Sequence, residues 1–167
     1  MENKIPTFEE MVILAPEELK DILLRNAETP QSPNWHPEGN VLKHIQIVYN
    51  RAMKSGDLDM VVTAFFHDLG KESTTRPSRN TKGSWSAYGH ELASLRLVEK
   101  YKDWIESLGA NYERVHELVK YHMKIKLMPE MRPIKQKEMR DNPYYDDLLI
   151  FTEFDNMKTL LKEELEY

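Results

Sequence analysis

The sequence predicts an all-α fold, a compact single-domain bundle of about six to eight helices, and three observations carry that prediction. Gly is scarce, with 6 in 167 residues; most Pro residues fall between periodic segments; and no stretch sustains the apolar/polar alternation of a strand. At this length one domain is expected, burying about two thirds of the surface its unfolded chain exposes.

The elements follow in order. Thr7-Phe8-Glu9-Glu10 has the spacing of a capping box, and Pro16 ahead of Glu17 and Glu18 suits a first helical turn. Two short helices are therefore expected before Ala27, as an N-terminal extension over residues 1–30. Residues 27–39, with Pro30, Pro33, Pro37 and Gly39, read as a loop. From Asn40, the residues Val41, Leu42, Ile45, Val48, Tyr49 and Ala52 recur at helical spacing as far as Gly56. Asp57 can cap the next helix, whose stripe Leu58, Val61, Val62, Phe65, Phe66 and Leu69 stops at Gly70. A polar loop reaches Gly89. Helices are then expected from about Tyr88 to Ile105, from Asn111 to about Lys126, and from about Tyr144 toward the C-terminus.

Composition narrows the function. Lys+Arg number 23 against 28 Asp+Glu, a net charge of -5, which argues against a sequence-specific duplex-DNA binder with its basic face. Cys is absent, so a thiol nucleophile, a disulfide framework and a thiolate metal site are all excluded, and any metal must rest on His, Asp and Glu. The start Met1-Glu2-Asn3-Lys4-Ile5-Pro6 has no apolar run after a basic residue, and no apolar segment approaches the ~18 residues that cross a bilayer. A cytoplasmic protein with no membrane partner is expected.

Polar residues on stripes that should be buried are the informative feature, because an unpaired polar group in a core costs about 1–3 kcal/mol. His44 lies one turn from Val41 and Val48, and Asp68 follows Phe65 by three residues with His67 just before it. His90 shares a face with Ala93, Leu97 and Tyr101, and His122 with Val115, Leu118 and Val119. Asp155 follows Phe151 by four residues and Leu148 by seven. Taken singly, each is a core histidine bonded to a carbonyl or a capping aspartate. Jointly, four imidazoles and two carboxylates face inward with no interior Lys or Arg to balance them, and a shared cation answers that imbalance.

The ordered set His44, His67-Asp68, His90, His122 and Asp155 resembles the HD-domain superfamily of metal-dependent phosphohydrolases, an all-helical fold. Phe66-His67-Asp68-Leu69-Gly70-Lys71 reads as its central motif and Tyr88-Gly89-His90-Glu91 as the Gly-His-Glu that follows. Trp35-His36-Pro37-Glu38-Gly39-Asn40-Val41, leading to His44, resembles the segment that opens the HD domain of bacterial CCA-adding tRNA nucleotidyltransferases. The resemblance spans residues 35–155. The nucleotidyltransferase head needs a Gly-Ser ahead of paired aspartates, whereas Gly83-Ser84 follows Asp57-Leu58-Asp59, so CCA addition is not expected and a free-standing hydrolase remains.

The resemblance implies that His44, His67, Asp68 and Asp155 ligate one divalent transition metal (Mn, Fe, Co, Ni or Zn). His90 and His122 either complete a second site bridged by Asp68, or bind phosphate and protonate the leaving oxygen around a single ion. Asp68, Lys71 and His90 are the expected catalytic residues, although Lys71 also suits a helix C-terminus on dipole grounds alone. His36, Glu38, Arg76 and Arg79 are candidate substrate contacts. Residues 71–88 and 124–143 each carry a charge of +3 while the chain from Tyr144 carries -5, so the basic connections lie beside the expected ligands and attract phosphate. Trp85 and Tyr88 either stack on a base or pack against the core. The expected partner is a small phosphorylated substrate, a nucleotide or RNA end: a 2′,3′-cyclic phosphate, a 2′-phosphate or a nucleoside monophosphate. The alternatives are a 5′-nucleotidase or dNTP-directed hydrolase, and a non-catalytic metal- or nucleotide-binding module.

Overall fold

The computed structural model describes residues 4–166; Met1, Glu2 and Asn3, part of the segment scanned for a targeting signal, lie outside the described residues, as does Tyr167. The chain is helical as expected, with ten α-helices among the described residues, somewhat more than anticipated. Helices α1 (Phe8–Leu14) and α2 (Glu17–Arg25) match the two short helices expected, and Thr7 Oγ1 accepts from Glu10 N at the first. Their Met11, Leu19 and Leu23 are fully buried in the same core as the rest, so this extension is packed rather than appended.

Helix α3 (Val41–Ser55) is capped by the Asn40 side chain and ended by Gly56, whose φ of 73° is the left-handed conformation a C-terminal glycine supplies. Helix α4 (Leu58–Phe66), capped by Asp57, packs along α3 as the central pair of the bundle. Its Phe65 and Phe66 are fully buried, and Trp104 rests on both rings with centroids 6.0 Å away.

Beyond α4 the structure departs from the sequence reading. The apolar stripe runs to Leu69, but regular helix stops at Phe66 and the chain turns through His67–Gly70 into the single turn α5 (Lys71–Thr74). The polar loop holds a two-residue antiparallel hairpin, β1 (Arg76–Pro77) and β2 (Trp85–Ser86), with Arg76 opposite Ser86. The single helix expected to Ile105 is two, α6 (His90–Lys100) and α7 (Lys102–Ser107), broken where Tyr101 takes φ -102° and ψ 27°. Helix α8 (Tyr112–Tyr121) gives way to a 3-10 segment, Lys124–Glu130, and α9 (Pro133–Arg140) begins with Pro133 in its first turn. Helix α10 (Tyr145–Asp155) closes the bundle against α3 and α8. Among the described residues, no helix is long and apolar enough to cross a membrane.

Two polar clusters fix the frame. Arg114 on α8 reaches Asp57, Asp59 and Asp147 at 2.8–3.0 Å, joining α8 to the start of α4 and to α10. Arg51 on α3 pairs with Glu164 and donates to the carbonyls of Phe154 and Asn156 at 2.9 and 2.8 Å. Those carbonyls flank Asp155, so Arg51, two turns along α3 from His44, holds the end of α10 in place.

Candidate metal centre

Five elements deliver the six inward polar residues. His44 lies in the middle of α3, His67 and Asp68 form the turn after α4, His90 opens α6, His122 follows α8, and Asp155 ends α10. All six are at most 7% exposed. His67 keeps helical torsions, φ -56° and ψ -33°, just past α4, so the adjacent His67 and Asp68 side chains leave the backbone about 100° apart and reach one centre from two sides of it.

Asp68 divides the cluster. Its Oδ2 lies 3.2 Å from Nε2 of both His44 and His67. Asp155 Oδ1 sits 2.7 Å and 3.3 Å from the same two nitrogens, which are themselves 3.3 Å apart. Asp68 Oδ1 faces the other way, 3.1 Å from His90 Nε2 and 3.5 Å from His122 Nε2, and those nitrogens are 3.4 Å apart.

The opposite ring nitrogens explain why this arrangement suits a cation. His67, His90 and His122 each donate Nδ1–H to the carbonyl three residues earlier, Ala64 at 2.7 Å, Ala87 at 3.0 Å and Val119 at 2.6 Å. A carbonyl only accepts, so in the neutral ring Nε2 turns a lone pair to the centre. His44 holds its Nδ1 against Glu38 Oε2 at 2.7 Å, the carboxylate–histidine arrangement that orients metal-bound imidazoles. Lone pairs facing one another beside carboxylates repel unless a cation lies between them. The donors of His44, His67, Asp68 and Asp155 lie within 4.8 Å of one another, as do those of Asp68, His90 and His122, and both sets fit a divalent first-row metal.

The carboxylates favour positive charge at this centre. Burial opposes charge on His44, yet Asp155, Asp68 and Glu38 raise its pKa to about 10, so without a cation that ring holds the proton which a bound metal would displace. Burial likewise opposes ionisation of Asp155 and Asp68, but Lys126 and His67 hold the first well below the usual carboxylate range, and His67 and Lys71 the second. Burial pushes His122 down to about 4, leaving that ring neutral.

Two lysines reach the cluster from its rim: Lys126, an exposed residue, places Nζ 2.5 Å from Asp155 Oδ2, and the half-buried Lys71 places Nζ 3.3 Å from Asp68 Oδ2. They face two of the three buried carboxylates, Asp155 and Asp68, and the third, Glu38, faces His44, whose raised pKa lets that ring carry the balancing proton, so the case for a metal rests on the converging ligand atoms and not on charge. Lys126 ends the helix expected from Asn111, and its place four residues after His122 would put it on the same face, yet the sequence reading counts it only in the +3 charge of residues 124–143.

The remaining candidates separate. Lys71 and His36 line a cleft of about 290 Å³ that reaches His90. A second cleft, about 560 Å³, lies past Trp35–Pro37 and reaches Asp155 and Lys126. The Glu38 side chain is fully buried and is held by His36 and His44, which keep its pKa near about 2 against the effect of burial; it supports His44 rather than lining either cleft. Arg76 and Arg79 are exposed on the hairpin, Arg76 donating to Thr75 O, and neither lines the cleft. His116, set opposite the His122 stripe, pairs with Glu117. Removing the acceptor with Glu38→Leu is expected to weaken metal affinity about 10–100-fold while Glu38→Gln, which still accepts from Nδ1, retains most of it. Titration against a competing chelator measures both.

A family model for the HD domain matches residues 41–159, a span that opens with α3 and contains all six converging residues. The chain belongs to the HD-domain family. The HD domain suggests a metal-dependent phosphohydrolase superfamily, and the buried His/Asp cluster is one that could hold its metal. The chain is also similar to the Multifunctional CCA protein of Nitrosospira multiformis, 31% identical over 107 residues that cover 63% of this chain and 24% of that protein. It therefore spans about a quarter of that relative's length. Helices α1 and α2 and the Trp35–Asn40 segment precede the matched HD region.

Proposed function

We propose that this protein is a metal-dependent phosphohydrolase acting on a phosphate ester of a nucleotide or RNA end, such as a 2′,3′-cyclic phosphate, a 2′-phosphate or a nucleoside monophosphate. The observation that carries the reading is the opposed use of the two Asp68 oxygens beside Lys71 at the foot of a cleft. His44, His67, Asp68 and Asp155 would hold one ion, with Glu38 and Lys126 fixing two of those ligands. A divalent cation there supplies an activated water and a Lewis acid for the phosphate.

The protein's own groups do the rest. An ammonium has three N–H donors, and Lys71 places two, on Gln31 Oε1 at 2.9 Å and Asp68, leaving one for a phosphate oxygen. His90 lines the same cleft. With one ion bound, it is placed to carry the proton for the leaving oxygen; with two, it and His122 complete the second set with Asp68 Oδ1. The number of ions bound per chain separates these arrangements.

The test is turnover of 2′,3′-cyclic AMP, 2′-AMP, nucleoside 5′-monophosphates and dNTPs by metal-stripped protein reconstituted with Mn, Fe, Co, Ni, Zn or Mg. Hydrolysis restored by a transition metal and abolished by chelator is expected. Turnover confined to 5′-monophosphates or to dNTPs would select the nucleotidase alternatives. Tight nucleotide binding with every metal and no turnover would replace this reading with the non-catalytic one.

A further inference from the structure

Three large aromatic side chains stand open to solvent around one small cleft. Trp35 is 69% exposed, Trp85 39% and Tyr88 85%, and all three line the cleft of about 290 Å³ that ends on Lys71 and His90. Tyr88 thus does not pack against the core. Burying such a ring is favourable, so open rings around one concavity mark a surface with something to cover.

The two walls are tied together. Ser32 Oγ donates to Trp85 O at 3.0 Å and accepts from Trp85 N at 2.9 Å, fastening the hairpin to the loop that carries Trp35. The polar groups nearest the rings are largely spent: that hydroxyl on Trp85, and the Gln31 amide on Lys71 and on Gly39 O. The hydroxyls of Thr75, Ser86 and Tyr88 and the Nε2 of His36 remain; a hydroxyl both donates and accepts, and one imidazole nitrogen is a single contact, too few to read a base edge that shows paired donors and acceptors.

From this geometry we infer that the cleft is a stacking subsite for a single unpaired nucleobase of any identity, held by Trp35, Trp85 and Tyr88 with its phosphate toward Lys71. The inference rests on the reading that the substrate is a nucleotide, and adds which residues take the base and that they do not select it. The volume is at the low end of the roughly 300–1,000 Å³ of small-molecule sites, which suits one nucleotide and not a duplex.

Tryptophan fluorescence tests it, because Trp35 and Trp85 line the cleft while Trp104, packed on Phe65 and Phe66, does not. AMP, GMP, CMP, UMP and ribose 5-phosphate are mixed with the metal-loaded protein and quenching is read before turnover. The four nucleotides are expected to bind within about ten-fold of one another, purines tightest, and ribose 5-phosphate to bind at least about ten-fold more weakly. Trp35→Ala and Tyr88→Ala should each weaken AMP binding about ten-fold, one stacked base being worth that factor, while Trp35→Phe and Tyr88→Phe retain it. Equal affinity for ribose 5-phosphate, no binding by any nucleotide, unchanged affinity in both alanine variants, or a preference above about 100-fold for one base would each overturn the inference. Base binding without hydrolysis would leave the stacking subsite standing and remove the hydrolase reading; hydrolysis with no base dependence would do the reverse.

Discussion

Asp68→Asn is expected to lower metal-dependent phosphate-ester hydrolysis by about 10³-fold or more, the largest activity loss of any single substitution in this chain. The side chain is 2% exposed, and its two oxygens are shared between the His44/His67 pair and the His90/His122 pair. Asparagine keeps the volume and one acceptor oxygen but supplies an amide N–H₂ to imidazole nitrogens that present lone pairs, and it removes the anion common to both sets. Bound metal per chain should fall together with turnover, and the helical circular dichroism should stay as in the wild type. A variant that hydrolyses at the wild-type rate with the wild-type metal content would remove Asp68 from the centre and, with it, the proposed division of the site.

Much of this centre was legible because helical periodicity fixes which residues share a face. His44, His122 and Asp155 interrupt apolar stripes whose other members are buried, and His90 one whose other members are half-buried, so the sequence alone places all four inward. Periodicity fails where the helix does. The stripe Val61, Phe65, Leu69 continues past Phe66 although regular helix does not, so it hides the turn on which His67 and Asp68 lie. Glu38, expected among the substrate contacts, supports His44 instead, since nothing local in the sequence shows that His36 and His44 close over it. The two-residue hairpin pairs too few residues to leave an alternating pattern. The break at Tyr101 also left no mark, since its neighbours continue the apolar spacing of one long helix.

Gly70→Ala is expected to have the largest effect on stability, about 3 kcal/mol, which for a domain of this size lowers the melting temperature by about 6–12 °C. The backbone at Gly70 has φ -69° and ψ -9°, which any residue adopts, so the requirement for glycine is not torsional. It is steric: a Cβ there would lie 2.5 Å from His90 O, 2.6 Å from Ser94 N and 2.7 Å from Ala93 Cβ. Two of those atoms are backbone of the first turns of α6, to which Gly70 N is also tied through Ser94 Oγ at 2.9 Å, and they move only if the helix moves. Glycine at this position is thus what allows the turn carrying Asp68 to lie directly on the helix that begins with His90. Gly56→Ala is the informative contrast: at φ 73° it meets no atom within 4 Å, so only the left-handed backbone penalty of about 1–2 kcal/mol applies and the metal centre is untouched. Thermal melts and metal titrations of the two variants check the argument together. Gly70→Ala should lose stability and displace His90 from Asp68, weakening metal binding, whereas Gly56→Ala should lose stability alone. Wild-type metal affinity in a folded Gly70→Ala protein would mean that α6 can shift without carrying His90 away, and that the close approach of turn and helix serves packing only.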